Sequence, residues 1–149
     1  MPSPRRAARI AVMQTLFSYE THESQTGSPE EILLYVISQY PIDKDIFPFA
    51  TELLKGVCDH REEIIEKIKE FAVEWPLEKI APVDRGILEI AVFEILFSKD
   101  VPPIVAINEA IEVAKDYGDL NAPKFVNGVL SQILETYCTH RDHKTGAAI

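Results

Sequence analysis

The stretch PVDRGILEIAVFEILFS, residues 82–98, decides the fold of this chain. Its apolar side chains recur at steps of three and four residues, which places them along one wide face of an α-helix. They include Val83, Ile87, Ile90, Ala91 and Ile95. We therefore predict a well-buried helix here, the fifth of the chain.

Six further segments have the same period, with helix-starting residues before them and glycine or proline after several of them. They cover approximately residues 4–20, 29–39, 49–57, 61–72, 104–117 and 122–138. Ser3, Ser28 and Asp59 are the predicted N-caps, and Gly118 is predicted to follow the last turn of the sixth helix. Because strand signals are weak throughout, the sequence predicts an all-α bundle of about seven helices.

The length of 149 residues is typical of one domain. We expect that domain to cover residues 1–140, in two small helical halves of approximately 1–75 and 76–140, with a flexible tail at 141–149. The sequence contains no apolar run long enough to span a membrane. Cys58 and Cys138 lie far apart without a C-x-x-C pair, so we expect a cytoplasmic protein with two unpaired thiols.

No pattern in the sequence indicates a catalytic or metal site. Glycine-rich phosphate loops, G-x-S-x-G and H-E-x-x-H are all absent. Cys138, His140 and His143 form the only metal-like cluster, and three ligands in a tail are a poor match for zinc. We therefore predict no catalytic residue, no cofactor and no metal.

Positive charge at the start of the chain contrasts with the acidic remainder. The formal net charge is −9, yet Arg5, Arg6 and Arg9 come before the first acidic residue, Glu20. Cations are disfavoured at a helix N-terminus. These arginines are either solvated surface or phosphate contacts. Three phosphate contacts on single-stranded RNA would give a salt slope of about −2, which is weak binding.

Two aromatic residues and one glycine leave a similar choice open. Phe17 and Phe125 are either core side chains or surfaces on which bases stack, and the neighbouring Lys124 favours a surface position for Phe125. Gly128 lies inside a predicted helix, where glycine costs about 1 kcal/mol relative to alanine. We expect a neighbouring helix to approach Gly128 closely, with Asn127 bonded to the backbone.

Several stretches together resemble the NusB family of bacterial transcription antitermination proteins. They are RRAARIAVMQTLF, PVDRGILEIAVFEIL, VPPIVAINEAIEVAKDYG and KFVNGVL, in the family's order and spacing over approximately residues 5–134. The resemblance implies an all-helical, non-enzymatic protein that binds boxA-type single-stranded RNA in ribosomal RNA transcripts. The implied partners are NusE, a small-subunit ribosomal protein, and the antitermination complex of RNA polymerase.

The resemblance also assigns roles to individual residues. It implies that the RNA-binding residues are Arg5, Arg6, Arg9, Phe17, Asn121, Lys124 and Phe125. Ala7 stands where the family's basic run continues, and Phe17 stands where the family has a tyrosine, so one cation and one hydroxyl are missing. Asp84 corresponds to an acidic position that faces NusE.

Other functions remain open at this point. The chain is either an RNA-binding adaptor, a protein-interaction scaffold or a ribosomal RNA maturation factor. A fourth reading is the N-terminal module of a ribosomal RNA cytosine methyltransferase. That enzyme needs a glycine-rich cofactor loop and a catalytic cysteine in further sequence, which residues 1–149 do not hold. A homodimer is also compatible with the resemblance.

Overall fold

This computed structural model describes residues 3–21, 27–39, 43–73 and 76–138, and within those ranges the chain is helical. The helices are α1 (Pro4–Thr21), α2 (Pro29–Ser38), α3 (Phe47–Asp59), α4 (Arg61–Phe71), α5 (Pro82–Phe97), α6 (Pro103–Tyr117) and α7 (Ala122–Tyr137). Short 3-10 turns, Lys44–Ile46 and Leu77–Lys79, precede α3 and α5. The predicted all-α fold with seven helices is confirmed. The expected flexible tail at 141–149 and the cluster at His140 and His143 lie outside the described residues.

The chain divides into two compact units, Met1–Asp59 and His60–Ile149. This division differs from the expected halves, whose seam was placed between residues 75 and 76. Helix α4 is the reason for the difference, because it packs against α5 and α7. A proline after a tryptophan marks the end of a helix, but it carries no information about the helices against which that helix packs.

The first unit is a three-helix cluster in which α1 contacts both α2 and α3. Its core includes Val12 of α1, Leu33 of α2 and Leu54 of α3, each at most 2% exposed. The predicted caps are present at both helix starts. The Ser3 Oγ accepts a hydrogen bond from the Arg6 N–H, and the Ser28 Oγ accepts one from the Glu31 N–H, each at 3.2 Å. These bonds satisfy amides that a helix start otherwise leaves unpaired.

Helix α5 is the central element of the second unit and contacts α4, α6 and α7. Leu88 and Ile95 are fully buried on it, as the period of residues 82–98 predicts. Two glutamates on α5 are buried as well. One of them, Glu89, is 2% exposed, and its Oε2 lies 3.7 Å from the Arg61 guanidinium on α4. Charged pairing therefore supplements apolar packing between α4 and α5.

The predicted cap at Asp59 is wrong. Asp59 ends α3, and its carboxylate pairs with the Lys55 ammonium at 2.7 Å. His60 occupies the N-cap position of α4 and makes no side-chain capping bond there. Its ring stacks on Phe97 instead, with 4.1 Å between ring centroids. Within the described residues, no helix is long and apolar enough to cross a membrane.

Candidate nucleic-acid interface

The first turn of α1 carries positive charge and contains no acidic residue of its own. Arg5 is exposed and Arg6 is half-exposed. Both lie next to the positive end of the helix dipole, which disfavours cations by about 0.3–1 kcal/mol each. The placement therefore works against the stability of α1, and it leaves two guanidinium groups accessible to an anion.

Arg9 differs from the expectation of an open cation, because it is only 5% exposed. Its guanidinium carbon lies 5.3 Å from the centroid of the Phe49 ring, and that of Arg5 lies 4.6 Å from the same centroid. Residues four apart share one face of a helix, so a single ring meets both arginines. Such cation–π contacts orient a guanidinium and contribute about 0.5–2 kcal/mol each.

Phe17, two turns beyond Arg9 on α1, has 38% of its surface exposed. The helical spacing of Phe17 is also compatible with a position in the hydrophobic core. The adjacent residue Leu16, which is 5% exposed, is the one that packs into the core of the first unit. The ring of Phe17 is thus available for stacking, and we name the group Arg5, Arg6, Arg9 and Phe17 the α1 surface.

In the second unit, the start of α7 carries the other predicted RNA-binding residues. Asn121 and Lys124 are exposed, and Phe125 is half-buried. Asn121 is the N-cap residue of α7, and its backbone N–H donates to the Asp119 Oδ1 at 2.9 Å. We name Asn121, Lys124 and Phe125 the α7 surface.

A cavity of about 390 Å³, the Asp84 cavity, opens beside the α7 surface. Its lining includes all three residues of the α7 surface together with Asp84, Asp119 and Lys79. Asp84 is 7% exposed, and its Oδ1 has no hydrogen-bond partner among the described residues. Burial raises the pKa of the Asp84 carboxyl, and the nearby Asp119 carboxylate raises this pKa further. Asp84 is thus a nearly buried carboxyl group in the lining of this cavity.

Gly118, at the end of α6, packs closely against Asp84 and the start of α7. A Cβ at this position would lie 2.4 Å from the Ala122 Cβ, 2.8 Å from the Asp84 Oδ1 and 3.0 Å from the Ala114 carbonyl oxygen. The φ of Gly118 is −87°, which every residue adopts, so the glycine is not needed for a left-handed turn. Glycine is needed at position 118 because atoms of α6, of α7 and of Asp84 already occupy the space that a Cβ would take.

The expectation for Gly128 is wrong, because no neighbouring helix of the described structure approaches it. A Cβ added at Gly128 meets no atom of the described residues within 4 Å. The side chain of Asn127 accepts a hydrogen bond from the Ser131 hydroxyl at 3.0 Å rather than bonding to the backbone. Gly128 instead lines an open groove of about 360 Å³.

This second cavity, the Gly128 groove, shares Lys124 and Phe125 with the Asp84 cavity. Its other lining residues are Phe71, Ala72, Val73, Val129 and Gln132. The start of α7 thus stands between two openings, both within the second unit. Among the described residues, no cluster of three His, Cys, Asp or Glu side chains is arranged to hold a metal ion.

Sequence reasoning missed Phe49, Asp119 and Lys79. The spacing of Arg5 and Arg9 indicates a shared partner, but nothing local identifies a ring forty residues later. Asp119 and Lys79 lie in connections whose sequence carries no motif. Proximity to Asp84 in the folded chain is what makes them part of a site.

The chain is similar in sequence to transcription antitermination proteins of several bacteria. A family model described as the NusB family matches residues 6–135. The transcription antitermination protein NusB of Bacillus pumilus is 41% identical over 129 residues, which is 87% of this chain and 93% of that protein. NusB of Heliobacterium modesticaldum is 40% identical over 143 residues, which is 96% of this chain and 68% of that protein.

Solved structures give the same result. A structure of NusB from T. maritima superposes with a TM-score of 0.85 at 35% identity, covering 97% of this chain and 99% of that chain. A crystal structure described as antitermination factors NusB and NusE in complex with double-stranded RNA superposes with a TM-score of 0.79 at 29% identity. That match covers 92% of this chain and all of the other.

Proposed function

The chain belongs to the NusB family, and from this premise we propose that it is a transcription antitermination factor. In this proposal it binds boxA-type single-stranded RNA of ribosomal RNA transcripts together with NusE. The complex helps RNA polymerase resist termination. The chain acts in the cytoplasm as an adaptor and performs no catalysis.

The observation that supports RNA binding is the solvent-accessible positive charge at the start of α1. Arg5 and Arg6 stay accessible in a chain of net charge −9, at a helix end that disfavours them. We assign them to phosphates of the RNA. Arg9 is a positioning residue in this assignment, because it is buried and shares the Phe49 ring with Arg5.

The α7 surface supplies the remaining contacts in this proposal. Lys124 contacts a phosphate, and Phe125 and Phe17 offer rings on which unstacked bases rest. Stacking of one base on an aromatic side chain contributes about 1–3 kcal/mol. Asn121 brings a neutral polar group to the RNA, and Asp84 receives a group from NusE that enters its cavity.

The form of the RNA is a separate part of the proposal. One related structure is described as containing double-stranded RNA. We propose a single-stranded site for this chain, because the rings of Phe17 and Phe125 are useful only to bases that are not already stacked. A duplex of the same sequence is the direct competitor in the test.

Binding of fluorescently labelled RNA, measured by anisotropy with NusE present, tests the function. The boxA strand should bind at least ten-fold more tightly than a scrambled strand or the boxA duplex. With Arg5, Arg6 and Lys124 as phosphate contacts, the salt slope should be about −2. Equal affinity for boxA and scrambled RNA contradicts the proposal.

A double variant separates this function from a protein-interaction scaffold. Arg5→Ala with Arg6→Ala leaves the buried Arg9 in place, so α1 keeps its contact with Phe49. It should lower the salt slope to about −0.7 and weaken RNA binding, while NusE binding without RNA is unchanged. Unaltered RNA affinity favours the scaffold. Light scattering of the free chain tests for a homodimer.

A further inference from the structure

The interior of α7 contains a gap that nothing in the described structure fills. Lys124, Gly128 and Gln132 are four residues apart, so they form one row along the helix surface. The middle member has no side chain, and the space above it is open to at least 4 Å. Glycine in a helix interior is unfavourable relative to alanine. Within the described residues, no packing contact explains why glycine rather than alanine occupies this position.

The gap has distinct chemistry at its two ends. Lys124 places an ammonium group at one end, and the exposed Gln132 places an amide at the other. Phe71, Phe125 and Val129 supply apolar lining between them. The volume of about 360 Å³ lies within the range of small-ligand sites, about 300–1,000 Å³.

We propose that the Gly128 groove holds one unstacked nucleobase of the bound RNA. The base lies over the bare backbone of Gly128, its phosphate is near Lys124, and Gln132 bonds to the edge of the base. This inference rests on the proposed RNA-binding function and deepens it, since it makes the groove a position where sequence is read.

Charge and shape favour a nucleotide over a protein side chain as the occupant. The charged residue that the described structure places in the lining is Lys124, and its ammonium group suits the phosphate of a nucleotide. A planar base can lie directly against the helix backbone only where no Cβ projects from it, as at Gly128. The amide of Gln132 carries both a donor and an acceptor, as recognition of a base edge requires.

Gly128→Ala tests the groove, and Gly128→Leu fills it further. Because a Cβ at Gly128 meets no atom of the described residues within 4 Å, Gly128→Ala should raise the melting temperature by about 2–4 °C. The same variant should weaken binding of the boxA strand, with NusE present, by about five- to 150-fold, the effect of losing one stacked base. Gly128→Leu should weaken it at least as much.

Thr136→Ala is the matched control. Thr136 is exposed on α7, two turns beyond Gly128 and outside the groove, and alanine improves its helix propensity too. This variant should bind RNA like the wild type. Gln132→Ala adds a readout of base recognition: it should reduce the ratio between affinities for boxA and for single-base variants of boxA.

Each outcome distinguishes the groove from the general function. Wild-type RNA affinity in both Gly128 variants overturns the groove and leaves the proposed function standing. Failure of the unaltered chain to prefer boxA over scrambled RNA overturns the proposed function and the groove with it. Loss of NusE binding by Gly128→Ala in the absence of RNA shows that the groove receives protein, and it also overturns the proposal.

Discussion

Replacement of Gly118 by alanine should destabilise the second unit strongly, although the backbone conformation suits alanine. The new Cβ would lie 2.4 Å from the Ala122 Cβ and 3.0 Å from the Ala114 carbonyl oxygen. Neither atom is the end of a flexible side chain, so a helix must move. Overpacking of this kind costs about 1–3 kcal/mol. Reduced entropy of the unfolded chain returns about 0.4–1 kcal/mol, so the net loss lies between about 0 and 2.6 kcal/mol. The contact of 2.4 Å between two Cβ atoms places this substitution in the upper half of that range.

Urea unfolding followed by circular dichroism measures this loss, and Gly118→Asn tests its cause. Asparagine tolerates a left-handed conformation better than other non-glycine residues. If Gly118 served a left-handed turn, asparagine would be better tolerated than alanine. With φ at −87° and the Cβ position blocked, asparagine should instead be at least as destabilising. Higher stability of Gly118→Asn than of Gly118→Ala would refute the reasoning.

Three further substitutions have defined outcomes. Phe49→Leu should weaken RNA binding by releasing Arg5, with an unchanged salt slope because no charge is lost; a lower slope would contradict this. Asp84→Asn should raise the free energy of unfolding at pH 7. Burial and Asp119 raise the folded-state pKa of Asp84 above its usual 3.8, so ionisation penalises the fold as pH rises. Denaturation across pH should show the gain vanishing below about pH 4; a pH-independent gain would exclude this cause. Ser28→Ala should cost about 1 kcal/mol in urea unfolding, and no loss would argue against the cap.

The helices were predictable because their signals are local. The apolar period of residues 82–98, the cap at Ser28 and the glycine at position 118 each act within one or two turns. The division of the chain was not predictable in the same way. Helix α4 belongs to the second unit through contacts with α5 and α7, and such long-range packing leaves no mark at the ends of α4.

The sequence predicted which residue types belong to the candidate site, but it did not predict how their side chains are buried or which other residues they contact. Arg5 and Lys124 are exposed, as a phosphate contact requires, whereas Arg9 is buried against a ring on another helix. Gly128 shows the limit most clearly. A glycine in a helix indicates that something comes close, but sequence cannot show whether a neighbouring helix or a ligand does so.

The number of exposed cations limits the salt dependence of the proposed RNA binding. If Arg5, Arg6 and Lys124 are the phosphate contacts, the salt slope is about −2, so a rise from 50 to 200 mM salt should weaken binding only about 16-fold. Proteins that rely on six to ten phosphate contacts lose about 10³–10⁵ over the same range. Under the proposed function, the binding energy at physiological salt must therefore come mainly from bases and from a partner protein. The accessible ring of Phe17, the half-buried ring of Phe125 and the proposed groove all suit unstacked bases, which a duplex does not offer.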